Sequence, residues 1–166
     1  MSDTASGLRV GLLALSALGI AGTLAELAAL RHWDGPQQLV PWFFLAGAGV
    51  TLVLAVTRPG RRAVVALRSA GIILAAVGLY GVVVHIVSNM SAAPLDGVVG
   101  PVWAQMSLPS RLWAASTGGV GPAPPLSAAA MVPTGLAMAL ATLHHPALAS
   151  ATGVSEEVAA TEPLRA

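Results

Sequence analysis

The chain has 166 residues, of which 55% are hydrophobic and only 9% charged, with a mean hydropathy of +0.78. A water-soluble domain usually carries about 25% charge, so the composition argues against an ordinary soluble fold and for one compact all-α domain in a bilayer. A formal net charge of +1 without a dense basic stripe gives no footing for nucleic acid, and the absence of cysteine excludes disulfides, a thiolate nucleophile and Cys-based metal sites.

The first apolar stretch covers residues 10–30, behind a short N-terminal segment, 1–9. At 1.5 Å per residue it spans about 31 Å, enough to cross a hydrocarbon core of about 30 Å. A cleaved signal peptide is the alternative. Against it, the run exceeds the usual h-region of about 7–15 residues, and Asp3 offsets Arg9 in front of it. Gly7 and Gly11 have helix-pairing spacing but enclose Arg9 at the membrane edge. Ala17, Ala21 and Ala25, with Gly22, form the better packing stripe.

Next comes a joint in which Asp34-Gly35-Pro36 signals a turn, flanked by Trp33, Trp42, Phe43 and Phe44 as an aromatic belt would be. The second span is expected over 39–57 and the third over 63–87. Arg58, Arg61 and Arg62 crowd the joint between them, with Arg68 just inside the third span. All eight basic residues are Arg, which with abundant Ala, Gly and Val suggests a G+C-biased genome. The positive-inside rule puts the Arg-rich joint in the cytoplasm, and both termini with it. Arg9 and Arg165 join that side, while Arg31 and Arg111 remain outside, a six-to-two division.

A long outer loop, 89–125, is rich in Gly and Pro. Within it, residues 108–118 read as a short interfacial helix capped by Ser107, with Pro109 early and Gly118 at its end. Val102, Trp103, Leu112 and Trp113 would lay this loop along the interface. The fourth span, 126–143, is the shortest, and Pro133 interrupts it. His144 and His145 close it, where interfacial capping of the last carbonyls is a better reading than a shared metal site. The tail, 149–166, holds Glu156, Glu157 and Glu162 and too little apolar surface to pack, so disorder is expected.

Intramembrane ionisable residues carry whatever functional signal the sequence holds. Glu26 lies about one turn before the outer end of the first span, on a face with Gly22, Gly19 and Leu15. His85 lies at similar depth in the third, on a face reading Gly71, Ala75, Gly78, Val82, His85, Asn89. Both are expected to point into the bundle, with His32 in the adjoining joint. Two readings are open. Glu26, His32, His85 and Asn89 could bind a ligand, relay a proton or, through Glu26 and His85, hold a metal or haem. Alternatively, Glu26 and His85 form a hydrogen bond that ties the first span to the third. No phosphate-cradling loop or HExxH motif is present, and Ser107, Ser110 and Ser116 have no nearby His–Asp arrangement.

These positions resemble a pattern in uncharacterised bacterial four-span membrane proteins. Glu26-Leu27 is followed by His32, Asp34, Gln38 and Pro41, and Gly81, His85 and Asn89 form a second motif. A Trp helix ending in Thr-Gly (Trp113 to Thr117-Gly118), a Pro-rich lead into the last helix (Pro122 to Met131) and the closing His145-Pro146 complete the likeness over about residues 10–148. Ser91 and Ala93 stand where acidic residues are expected, and Ala114 where a Glu often follows the Trp. The resemblance implies a fold and a location, not a reaction.

The sequence therefore leads to an integral four-helix bundle of a bacterial inner membrane. Its expected role is that of a non-catalytic accessory or scaffold subunit. Its expected partners are the lipid bilayer and other membrane subunits or copies of itself. No cofactor is predicted. The alternative is a transport, proton-relay or metal/haem-binding protein using the outer Glu/His cluster.

Overall fold

A computed structural model describes residues 3–148; the expected disordered tail and Arg165 lie outside the described residues. The described chain is helical, with no strands. Helix α1 covers Asp3–Ala29, α2 Pro36–Thr57 and α3 Arg61–Ala92, at 27, 22 and 32 residues. At 1.5 Å per residue these are about 40, 33 and 48 Å long. All three are long and apolar enough to cross a membrane. After a single 3-10 turn at Ala93–Leu95 come three short α-helices, α4 (Gly100–Trp103), α5 (Leu108–Ser116) and α6 (Pro125–Ala129), and the last is α7, Met131–Ala141.

Short joints fold α1, α2 and α3 back on one another. Helix α3 packs against α2, α6 and α7, and α1 packs against α2 and α7. Leu45 of α2, Leu74 of α3 and Met138 of α7 are fully buried at the centre. The outward faces are as apolar as the core: Leu18, Phe43, Val50, Ile72, Leu79, Val83 and Leu136 are all exposed. Such a surface is untenable in water over this extent and ordinary in lipid.

Lipid tails are as apolar as leucine, so helices are held here by close packing. Helices α3 and α7 approach closely at a glycine pair. A Cβ placed on Gly71 would stand 2.5 Å from the Gly135 carbonyl oxygen and 2.8 Å from the Met138 Cβ, while one on Gly135 would strike the Gly71 carbonyl. Gly71, Ala75 and Gly78 thus lie on a packing face, against α7 and its approach.

The expected stripe on α1 lies elsewhere. Ala17, Ala21, Gly22 and Ala25 are exposed, and a Cβ on Gly22 would meet nothing within 4 Å. The inward face of α1 is instead Ser16, Gly19, Ile20, Thr23 and Leu27, with Gly19 against Thr134 of α7. Its hydroxyls bond within the helix, Ser16 to the Leu12 carbonyl at 2.7 Å and Thr23 to that of Gly19 at 2.8 Å. That lets them sit in an apolar contact without an unpaired group.

The last apolar segment breaks at Ala130, between α6 and α7. Pro133 has no N–H for the Ala129 carbonyl, and its ring crowds that carbonyl, so the break falls one turn before the proline. Pro125–Ala141 is shorter than the other three apolar helices. Its C-terminal carbonyls are reached by arginine side chains and not by the His144 and His145 rings, although the His145 backbone N–H also donates to the Thr142 carbonyl at 3.3 Å. Arg9 Nε donates to the Ala141 carbonyl at 3.2 Å, and Arg68 donates to the Thr142 hydroxyl at 2.8 Å and carbonyl at 3.0 Å. Guanidinium groups there offset both the orphan carbonyls and the negative end of the helix dipole. His144 takes a left-handed φ of 50°, and the His145 ring accepts from the Ala147 N–H at 3.2 Å. Burial, and then the nearby Arg9 charge, lower the His145 pKa below its usual range.

At the opposite end, α3 continues past Val87 to Ala92, so Asn89 belongs to the helix and not to the loop. Beyond α3 the chain builds a folded cap. Ala93, Trp103, Ala115 and Val120 form its core, with Ile86 and Met90 of α3 packed beneath. Trp103 is buried in this core, whereas Leu112 and Trp113 face outward as an interfacial helix requires. Ser107 caps α5 by accepting from the Ser110 N–H, and Gly118, at φ 75°, supplies the left-handed turn after it. Asp96 accepts from the Val98 and Val99 N–H groups at 2.8 Å, and these bonds hold its pKa below the ordinary carboxylate range.

Candidate functional site

The expected site residues converge at the end of the fold nearest the cap. A pocket of about 140 Å³ opens between α1, α2, α3 and the start of α6. Glu26, His32 and His85 line it, and so do Gln37, Tyr80 and Ser127. Leu27, Val40, Val77 and Met131 give it apolar walls.

Each polar group is positioned by a local device. Glu26 sits in the last turns of α1, where its carboxylate accepts from the Ser127 hydroxyl at 2.6 Å. His85 projects from α3 and shares a hydrogen bond between its Nδ1 and the Pro124 carbonyl at 2.9 Å. Because a carbonyl only accepts, Nδ1 must carry the hydrogen of this bond. His32 stands with its ring centroid 6.4 Å from that of His85, edge-on at 71°. Its backbone is fixed by the Trp42 indole, which donates to the His32 carbonyl at 2.7 Å. Burial, and secondly repulsion from His85, lower the His32 pKa below its usual value. The ring is therefore largely neutral near pH 7.

The turn beneath is also locked. Gln38, the third residue of α2, reaches back to accept from the Asp34 N–H at 2.7 Å, one residue before the N-cap Gly35, and so ties the joint to the helix start. The Trp33 and Trp42 rings lie 6.2 Å apart beside it.

Glu26 and His85 thus share one pocket, but they do not bond to each other. Both instead bond to the segment leading into α6, through Ser127 and Pro124. The expected direct tie between α1 and α3 is replaced by two ties to a third element. Asn89 does not line the pocket. It is fully buried under the cap, where its amide donates to the carbonyls of Ala115 at 3.0 Å and Ala123 at 2.7 Å and accepts from the Ala123 N–H at 3.0 Å. Its role is structural. Among the described residues no group of three or more His, Cys, Asp or Glu side chains is placed to hold a metal ion.

Ser127, Pro124, Gln37 and Tyr80 are pocket residues that the sequence does not single out. Only the Pro124-Pro125 start of α6 hints at an ordered turn there. The chain matches no protein-family model, no curated protein and no solved structure.

Proposed function

We propose that this chain is a multi-pass protein of a bacterial inner membrane that works by binding rather than by catalysis. In this reading α1, α2, α3 and the broken Pro125–Ala141 segment are its four spans. Arg9, Arg58, Arg61, Arg62 and Arg68 mark the cytoplasmic end, and the cap and pocket face outward. The observation that carries the reading is the pocket itself: apolar walls around a few converging polar groups, the usual make-up of a small-molecule site.

Native mass spectrometry of the full chain, released from gently extracted membranes, tests it. The expected result is a small molecule retained on the unaltered chain and lost from Val40→Phe, which fills the pocket from α2. Release of the bare chain in both cases would refute a binding role for the pocket.

An accessory role within a larger membrane assembly is the second reading. It is favoured by the exposed small-residue face of α1, Ala17, Ala21, Gly22 and Ala25, which would let another transmembrane helix approach closely. A retained protein subunit that dissociates from Ala21→Leu, in the same spectra, would support it.

A further inference from the structure

The pocket holds one carboxylate, that of Glu26, and no Lys or Arg, while Gln37 and Tyr80 bring donors as well as acceptors to its wall. One carboxylate oxygen of Glu26 takes the Ser127 hydroxyl, and no ion pair joins Glu26 to a cation among the described residues. His85 commits its Nδ1 hydrogen to the Pro124 carbonyl, so that nitrogen has no hydrogen left for a ligand. His32, its pKa lowered by burial, offers one ring donor and one acceptor when neutral, and Pro41, also at the wall, has no N–H to offer the Gln37 carbonyl. No arginine lines the pocket. An anionic ligand would face a carboxylate with no compensating charge. A ligand without donors would leave the second oxygen of that carboxylate without a donor from the ligand and its charge uncompensated, which is unfavourable.

The volume narrows the choice further. About 140 Å³ is close to the cavity size of about 150 Å³ that takes a benzene molecule. The site therefore suits one compact apolar group.

We propose that the pocket binds a small primary amine in its ammonium form. The ammonium pairs with the Glu26 carboxylate and donates to the neighbouring acceptors, while a compact apolar body lies against Leu27, Val40, Val77 and Met131. This rests on the reading of the pocket as a ligand site and names the class of ligand. A free amine and the ethanolamine headgroup of a lipid share the required cation.

Calorimetric titration of the full chain in phosphatidylglycerol nanodiscs, with benzylamine, benzyl alcohol and benzoate as probes of matched shape, tests the class. The amine is expected to bind at least about tenfold more tightly than the alcohol, as befits a hydrogen bond to a charged group, and benzoate not at all. This ratio is read on the unaltered chain and needs no variant to fold. Glu26→Gln should lose at least about tenfold of the amine affinity and leave the alcohol unchanged. Repeating the titration in phosphatidylethanolamine nanodiscs separates the two sources. Unchanged amine binding assigns the site to a free amine, and competition assigns it to the lipid headgroup; either supports a cationic ligand. Equal affinity for amine and alcohol would overturn the ligand class while leaving the pocket a binding site. Failure of every probe to bind would overturn both.

Discussion

Gly71→Val should destabilise the fold by about 3 kcal/mol, the upper part of the range for forcing a side chain into a filled contact. The reason is that the obstacle is backbone. The new Cβ would stand 2.5 Å from the Gly135 carbonyl oxygen and 3.0 Å from the Ala139 nitrogen, neither of which can rotate away. Helices α3 and α7 would have to separate along their length, and Leu74 and Met138, both fully buried, would lose contacts together. Reversible unfolding in mixed micelles, followed by circular dichroism, measures the change. Gly22→Val makes the same chemical change on α1 where nothing lies within 4 Å, and should shift stability by less than about 0.5 kcal/mol. Equal losses from the two substitutions would show that the glycine contact does not hold these helices.

Asn89→Leu should release the outer cap. Leucine preserves the bulk but strands the Ala115 and Ala123 carbonyls and the Ala123 N–H, all now served by one side chain. Each unsatisfied buried group costs about 1–3 kcal/mol, so the sum is about 3 kcal/mol or more. Asn89→Asp keeps the acceptor but points a carboxylate at two carbonyl oxygens, and should be nearly as damaging. Limited proteolysis reads the result directly: new cleavage is expected between Leu95 and Val120, with the long helices still protected. A cap that stays resistant in both variants would mean that the apolar cluster around Trp103 suffices without Asn89.

Both substitutions fall where sequence and structure differ in what they reveal. The three long helices are legible in the sequence because each is an unbroken apolar run bounded by Arg, Gly or Pro, and Pro133 announces the break before α7. The inward face of α1 is not legible. In lipid both faces of a helix are apolar, so hydrophobic periodicity loses its meaning, and an alanine stripe looks the same towards lipid as towards protein. A partial guide is hydroxyl placement. Ser16, Thr23, Thr134 and Thr142 are all buried and all bond to a carbonyl in the preceding turn, which lets a hydroxyl sit inside without another partner, although exposed Thr57 and Ser91 make the same bond.

By sequence, the third span ends near Val87 and a Gly- and Pro-rich loop begins at Asn89. Helix α3 continues because the cap, built from residues beyond 92, buries Asn89 and satisfies its amide with hydrogen bonds. Glu26 and His85 lie at one end of the fold, as their positions in the first and third apolar runs imply. Their relation to each other is not legible, since the group that receives both arrives with Pro124 and Ser127, far along the chain. Local spacing carries no trace of such a partner. The same holds for the last carbonyls of α7, where adjacent histidines suggest a local side-chain cap and distant Arg9 and Arg68 supply the side chains, with only the His145 backbone N–H contributing locally.

Helices that lie in lipid, with the arginine-rich joint inside and the pocket outside, are the central claim. The natural chain has no cysteine, so single substitutions can be labelled without background. Intact bacterial cells expressing Arg61→Cys or Trp113→Cys, exposed to a membrane-impermeant maleimide, give the most direct measurement. Trp113→Cys should react from outside, and Arg61→Cys only once the membrane is opened. The reverse pattern would invert the orientation, and labelling of both positions in a protein that leaves the membrane without detergent would contradict the placement in lipid altogether.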